Sequence, residues 1–274
     1  MERTLAGRTI LMSGGSRGIG LAIALRAAKD GANVVLLAKT AEPHPKLEGT
    51  VHTAAAEIEA AGGRALAVVG DVRVDADVER AVAAAVERFG GIDIMVNNAS
   101  AIDLSPTADA DMKRYDLMQD INARGTFLLT KTALPHLRES SNAHVLTLSP
   151  PLNPAPHWPG RHLAYTLSKY GMSLCTVGFA HEFAAHGVAA NSLWPRTLID
   201  TAAIRNLLGG AERSRSSAIV ADAAYAILTR DATACTGHHF LDDEVLAEEG
   251  VTDLSGYRAG DAEGELELDL FLDA

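Results

Sequence analysis

Short apolar runs alternate with longer segments whose apolar residues recur every three or four positions, and this holds from the N-terminus to about residue 241. The short runs predict buried strands at Thr9–Met12, Val34–Leu37, Ala65–Val69, Ile92–Val96, His144–Leu148, Val188–Leu193 and His238–Leu241. The longer segments predict helices at Ile19–Lys29, Thr53–Ala61, Ala76–Phe89, Met112–Asp120, Gly125–Arg138, Leu163–Ala185 and Ile219–Leu228. Gly, Asp or Asn marks the turns between them. Regular strand–helix alternation of this kind predicts an α/β fold, a single doubly wound parallel sheet with helices on both faces.

No repeat or linker interrupts the pattern, so residues 1–274 read as one domain of a size that parallel α/β units reach. Ala202–Ser217, with Gly209-Gly210 and three serines, reads as a mobile segment. Residues 248–274 read as an acidic, Gly-interrupted tail that wraps the domain or packs on another subunit. The proline-rich stretch from Pro150 to Pro159 holds five of the ten prolines and reads as a loop.

Composition narrows the function. A formal charge of −11 without any Lys/Arg run argues against a nucleic-acid partner. The most apolar long stretch, 163–180, carries Lys169 and is too short to span a membrane, and residues 1–8 lack the apolar core of a signal peptide. Cys175 and Cys235 stand alone, which fits core thiols in a reducing, cytoplasmic setting. No metal site is expected, because the histidines from His157 to His162 have no third ligand at suitable spacing.

Two local patterns carry chemistry. Ser13-Gly14-Gly15-Ser16-Arg17-Gly18-Ile19-Gly20 lies between a strand and a helix, where Gly14 and Gly18 allow backbone approach to a pyrophosphate and Gly20 allows tight helix packing. At the end of the second strand stands Ala38-Lys39 in place of the carboxylate that holds a ribose, so Lys39, aided by Arg17, favours NADP, with NAD as the alternative. Tyr165 and Lys169 are one helical turn apart on one face. An ammonium beside a phenol, with a positively charged nicotinamide, favours the phenolate and makes proton transfer to or from a substrate hydroxyl feasible.

Together with Asp71-Val72, Asn97-Asn98-Ala99-Ser100 and Asn122, these patterns resemble the short-chain dehydrogenase/reductase family in order and over residues 8–241. The resemblance implies a Rossmann fold, an adenine contact at Asp71 and Val72, cofactor contacts at Asn98, Ala99 and Ser100, a proton-relay water supported by Asn122, and Tyr165 and Lys169 as the catalytic pair. It also implies a homodimer or homotetramer. The reaction expected is interconversion of a secondary alcohol and its carbonyl on a small, lipid-like substrate, with Leu198–Leu208 lining an apolar pocket. A narrower likeness to one branch of the family is carried by Ala38-Lys39-Thr40, Pro43–Leu47, Ser149–Asn153, Leu193-Trp194-Pro195 and Phe271-Leu272-Asp273.

The pattern departs from the family at two places. Pro150 stands where the family has its catalytic serine, leaving Ser149, sixteen residues before Tyr165, as the candidate, with His157, His162 or a water as alternatives. Proline has no hydroxyl to donate. The family's Pro-Gly after the sixth strand is here Pro195-Arg196, with the backbone of Thr197 and Leu198 expected to meet the nicotinamide and Arg196 either a surface cation or a contact for an acidic substrate group. The rival reading is a dinucleotide-binding regulatory or interaction protein with little turnover.

Overall fold

The structure is a computed structural model that describes residues 3–43, 48–207, 211–259 and 264–273. Seven strands form one parallel sheet in the order β3-β2-β1-β4-β5-β6-β7. They are β1 Thr9–Ser13, β2 Asn33–Ala38, β3 Arg64–Val69, β4 Ile94–Asn97, β5 Ala143–Thr147, β6 Val188–Trp194 and β7 His239–Leu241. The helices are α1 Gly18–Ala28, α2 Val51–Ala60, α3 Asp75–Phe89, α4 Met112–Met118, α5 Gly125–Leu137, α6 His157–Phe183, α7 Ala202–Leu207, α8 Ala218–Leu228 and α9 Asp242–Glu248.

Alternation along each strand divides the core into two layers. Ile10, Met12, Val34 and Leu36 pack with α1, α2 and α8, whereas Leu11, Val35 and Leu37 pack with α3, α5 and α6. Strands β1, β2 and β4 to β6 are buried throughout, as their unbroken apolar runs require, while edge strand β3 is half wet. Helix α3 shows the reason for its register: Val78, Ala81, Val82 and Ala85, spaced i, i+3, i+4, i+7, are its buried face, and Gly90 at φ 88° ends it. Helix α2 begins two residues before the predicted Thr53, because Thr50 caps it and exchanges hydrogen bonds with Thr53.

Three expectations are corrected. The break between Met112–Asp120 and Gly125–Arg138 is instead a π-helical turn, Gln119–Arg124, so the chain stays helical from 112 to 137. The loop around His157 to His162 is the first part of α6, which kinks at His162 (φ −152°, ψ 65°). Ser214 in the segment read as mobile is buried, and Arg215 is bridged to both Ile199 and Arg258; residues 208–210 of that segment lie outside the described residues. The acidic tail turns back onto the sheet's carboxyl edge and buries Phe271 in an aromatic cluster. Residues 44–47 of the Pro43–Leu47 stretch also fall outside the described residues. Among the described residues no helix is long and apolar enough to cross a membrane, and no group of three or more His, Cys, Asp or Glu side chains is placed to hold a metal ion.

Candidate active site

Strand order reverses between β1 and β4, and in open α/β sheets ligands bind outside the carboxyl ends of strands at that crevice. Ser13 and Asn97 face one another there as register partners. The Ser13 hydroxyl accepts from the N–H groups of Asn98 (3.2 Å) and Ala99 (3.1 Å), and the Asn98 amide donates to the carbonyl of Gly14 (2.8 Å). Asn98 and Ala99 thus brace the glycine loop from behind. This explains two glycines: a Cβ on Gly14 would come within 2.8 Å of Ala99 Cα, and one on Gly20 within 2.5 Å of Asn98 Nδ2. Gly20 is therefore a place of packing against the Asn98 amide rather than against a strand.

Gly18 is different. Its Cβ would meet nothing nearer than Thr201 at 3.5 Å, so at φ 56° it keeps the loop's outer side open. Helix α1 starts at Gly18 without a side-chain cap and without an acidic residue in its first turn, leaving its N-terminal N–H groups for an anion. Ser16 is buried within the loop, and Ile19 packs on the α1 side of the core. Arg17 donates to the Gly49 carbonyl at 2.7 Å, and burial lowers its pKa.

Lys39 sits just after β2 with 58% of its side chain exposed, and its Nζ is 3.8 Å from Asp71. Asp71 also receives Arg73 at 2.7 Å, and although burial opposes it, hydrogen bonds and the charge of Arg73 hold its carboxyl below the usual range. Val72 is buried against Gly125. Asn122 lies in the π turn, where its side chain is tied to both backbone groups of Ala101 and donates to Ser168 at 2.9 Å. Ser100 is exposed beside this clamp.

Tyr165 and Lys169 lie side by side on α6, both buried, with Tyr165 only 4% exposed. Lys169 donates to the Leu148 carbonyl at 2.6 Å and stands 4.8 Å from the centroid of the Trp194 ring. Burial pushes the lysine down to about 7, while the Asp269 carboxylate acts to raise it. Burial pushes the Tyr165 phenol well above its ordinary range, and Asp269 adds in the same direction. Asp269 itself is raised to about 7 by burial, against the pull of Lys169. Without added positive charge, the phenol is held in its acid form.

A cluster of buried polar atoms has no partner among the described residues: Asn97 Oδ1, Thr147 Oγ1, Ser149 Oγ, Thr197 Oγ1 and, in the glycine loop, Arg17 Nε. Four of the five lie at or just beyond the carboxyl ends of β4, β5 and β6. Buried polar groups in folded proteins are nearly always paired, so this concentration fits a polar ligand in the crevice. With the uncapped helix and the open side of Gly18, the donor set fits a dinucleotide.

The segment after β6 departs from expectation. Arg196 is ion-paired with Asp243 at 2.5 Å and with Glu244, so it belongs to the α9 surface rather than to a substrate. The Leu198 N–H, expected to face the nicotinamide, donates to Glu267 of the tail at 2.9 Å. Leu198 and Ile199 point into the interior, so neither lines an open apolar pocket, and 208 lies outside the described residues. Pro195, just before them, is buried. His157 pairs with Asp273, and His162, buried and lowered in pKa by burial, contacts Thr166. The residues beside Tyr165 that the strand and motif pattern did not reveal are Asp269 and Phe271; the signal available was the distinctive Phe271-Leu272-Asp273 ending.

Comparison with known proteins agrees with this geometry. A model of the short chain dehydrogenase family matches residues 8–208. The chain is 55% identical to hydroxysteroid dehydrogenase-like protein 2 of Danio rerio over 98% of its own length, and spans 65% of that relative. A crystal structure of a putative dehydrogenase from Xanthomonas campestris superimposes with a TM-score of 0.96 at 56% identity, covering 99% of this chain and 100% of that one. A more distant crystal structure, an NADH-dependent reductase complexed with NAD, has a TM-score of 0.70 at 26% identity and covers 86% of this chain and 95% of that one. The chain belongs to the short-chain dehydrogenase family of NAD(P)-dependent oxidoreductases.

Proposed function

We propose that this chain is a single-domain, NADP-preferring oxidoreductase that interconverts a secondary alcohol and its carbonyl, with Tyr165 transferring the proton. The observation that carries the reading is the buried Tyr165–Lys169 pair on α6, with Lys169 bonded to the Leu148 carbonyl just beyond the carboxyl end of β5. NADP(H), when bound, supplies or accepts the hydride. Gly14, Ser16, Gly18, Ile19 and Gly20 would hold its pyrophosphate at the start of α1, and Asp71, Val72, Asn98, Ala99, Ser100 and Pro195 would border it.

The chain's own groups do the proton chemistry. Tyr165, held as the neutral phenol, donates its proton to the oxygen of a carbonyl substrate, and Lys169 stabilises the phenolate that remains. Ser149, whose hydroxyl has no partner among the described residues, supplies the hydrogen bond that orients the substrate oxygen in place of the residue at Pro150. Asn122, fixed by Ala101 and Ser168, shapes the π turn from which a water relays the proton.

NADP is favoured over NAD by the exposed Lys39 following Ala38. A lipid-like substrate is supported by likeness to a relative named for hydroxysteroids and by the aromatic surroundings of Tyr165. A homodimer or homotetramer is supported by the apolar residues that α5 and α6 expose, Phe127, Leu163, Leu167, Leu174 and Val177. A cytoplasmic setting is inferred from the two unpaired cysteines. The test of the reading is hydride transfer from NADPH to a panel of carbonyl compounds by the wild type and by Tyr165→Phe.

A further inference from the structure

Residues 264–273 cross the carboxyl edge of the sheet and are anchored at several points. Leu268 pairs antiparallel with Thr197, and the Asp269 N–H donates to the Arg196 carbonyl at 3.0 Å. The Trp194 indole N–H donates to the Leu270 carbonyl at 3.0 Å, and the Asn153 amide reaches the Phe271 carbonyl at 3.1 Å. Between these anchors Phe271 has φ 71°, the one positive value found outside glycine among the described residues. A bulky L-residue persists in that conformation only where its surroundings over-determine it.

The surroundings are aromatic. The Phe271 ring, 1% exposed, has its centroid 5.9 Å from Tyr165, 5.6 Å from Trp158, 5.5 Å from His162, 5.3 Å from Tyr170 and 6.2 Å from Trp194. Rings from α6 and from the end of β6 therefore enclose a volume of aromatic size beside the phenol, and the chain fills it with its own side chain. A substituent that a carbonyl compound bonded to Tyr165 directs toward these rings meets Phe271. Space taken by Phe271 is denied to that substituent.

We propose that Phe271 is a specificity-determining residue: its ring closes the aromatic box beside Tyr165, admitting carbonyl compounds with slim, linear substituents and excluding those with aryl-sized groups. The proposal rests on the oxidoreductase reading for the reaction itself. It gives the tail a role in substrate choice that no residue of the glycine loop or the strand ends supplies.

The test compares the wild type with Phe271→Gly and Phe271→Leu, each loaded with NADPH, on a linear methyl ketone and on an acetylnaphthalene. Glycine suits the positive φ, so Phe271→Gly removes the ring while easing the backbone. The chain's two tryptophans, Trp158 and Trp194, both border the box, so their fluorescence reports its occupation independently of turnover. Phe271→Gly is expected to raise the aryl-to-linear ratio of kcat/KM, and to tighten binding of the acetylnaphthalene by tryptophan quenching, each on the order of 10-fold, with Phe271→Leu between. Unchanged ratio and unchanged quenching, in a variant that binds NADPH like the wild type, overturn the proposal; if Phe271→Gly does not fold, Phe271→Leu decides on the same two readouts. If the wild type and both variants reduce neither ketone, the fluorescence titration alone decides whether Phe271 blocks the box, and the oxidoreductase reading itself is decided by the carbonyl panel.

Discussion

Lys169 reaches the chain just beyond β5 and donates from Nζ to the Leu148 carbonyl at 2.6 Å. That bond fixes the ammonium beside Tyr165, but burial lowers its pKa to about 7 and leaves it ready to lose its proton. A lysine with a depressed pKa is charged below that value and neutral above it. Since the cation stabilises the phenolate left after proton donation, the rate of carbonyl reduction is expected to fall as pH rises through about 7. A kcat profile measured with saturating NADPH checks this. A rate that stays level through the alkaline range contradicts the assignment of Lys169 as the stabilising cation.

Cofactor choice is assigned to Lys39, whose ammonium is exposed and only loosely held by Asp71 at 3.8 Å. Replacing it with a carboxylate places like charge against a 2′-phosphate and an acceptor against ribose hydroxyls. Lys39→Asp is expected to weaken NADPH on the order of 10-fold, about 1.4 kcal/mol, while NADH binding holds or tightens. Calorimetric titration of both cofactors reads the outcome. Equal losses for the two would remove Lys39 from the selectivity argument.

Ser149 carries opposite consequences for stability and activity. Its buried hydroxyl has no partner among the described residues, and an unpaired buried polar group costs on the order of 1–3 kcal/mol. Ser149→Ala is therefore expected to raise Tm by a few degrees while lowering kcat/KM for carbonyl reduction on the order of 10-fold or more. A variant that keeps full activity would assign substrate orientation elsewhere, with His162 the nearest alternative on α6.

Much of this was legible from the chain because it is local. Buried strands announce themselves as unbroken apolar runs, and Ser13–Gly20 and Tyr165–Lys169 are compact spacings on single turns. The π turn at Gln119–Arg124 was not legible, since widening a helix by one residue leaves the flanking apolar period intact. The start of α6 was masked by prolines that sit in its first turns, where a missing N–H costs little. The tail was hardest. The alternation Glu265-Leu266-Glu267-Leu268-Asp269-Leu270 signals extended chain but not its partner; the burial of Asp269 and Phe271 comes from pairing with 196–198 and from rings more than seventy residues away.

Assembly is assigned to the outer face of α5 and α6, where Leu174 is 58% exposed in the company of Phe127 and Val177. An apolar stripe of this kind on two adjacent helices is the material of an isologous interface. Leu174→Glu is expected to shift the protein toward monomer in sedimentation at micromolar concentration, with little loss of intrinsic fold. Wild-type protein that sediments as a monomer would contradict the assignment.

The central claim is that Tyr165 transfers the proton while NADPH supplies hydride, and the most direct measurement is carbonyl-dependent NADPH oxidation by the wild type and by Tyr165→Phe. The wild type is expected to turn over at least one carbonyl compound of the panel. A loss on the order of 10²–10⁴-fold in kcat is expected for Tyr165→Phe. NADPH affinity should be retained, because the substitution removes one hydroxyl and keeps the ring. Full activity in Tyr165→Phe, or NADPH binding without turnover of any carbonyl in the wild type, would contradict the claim.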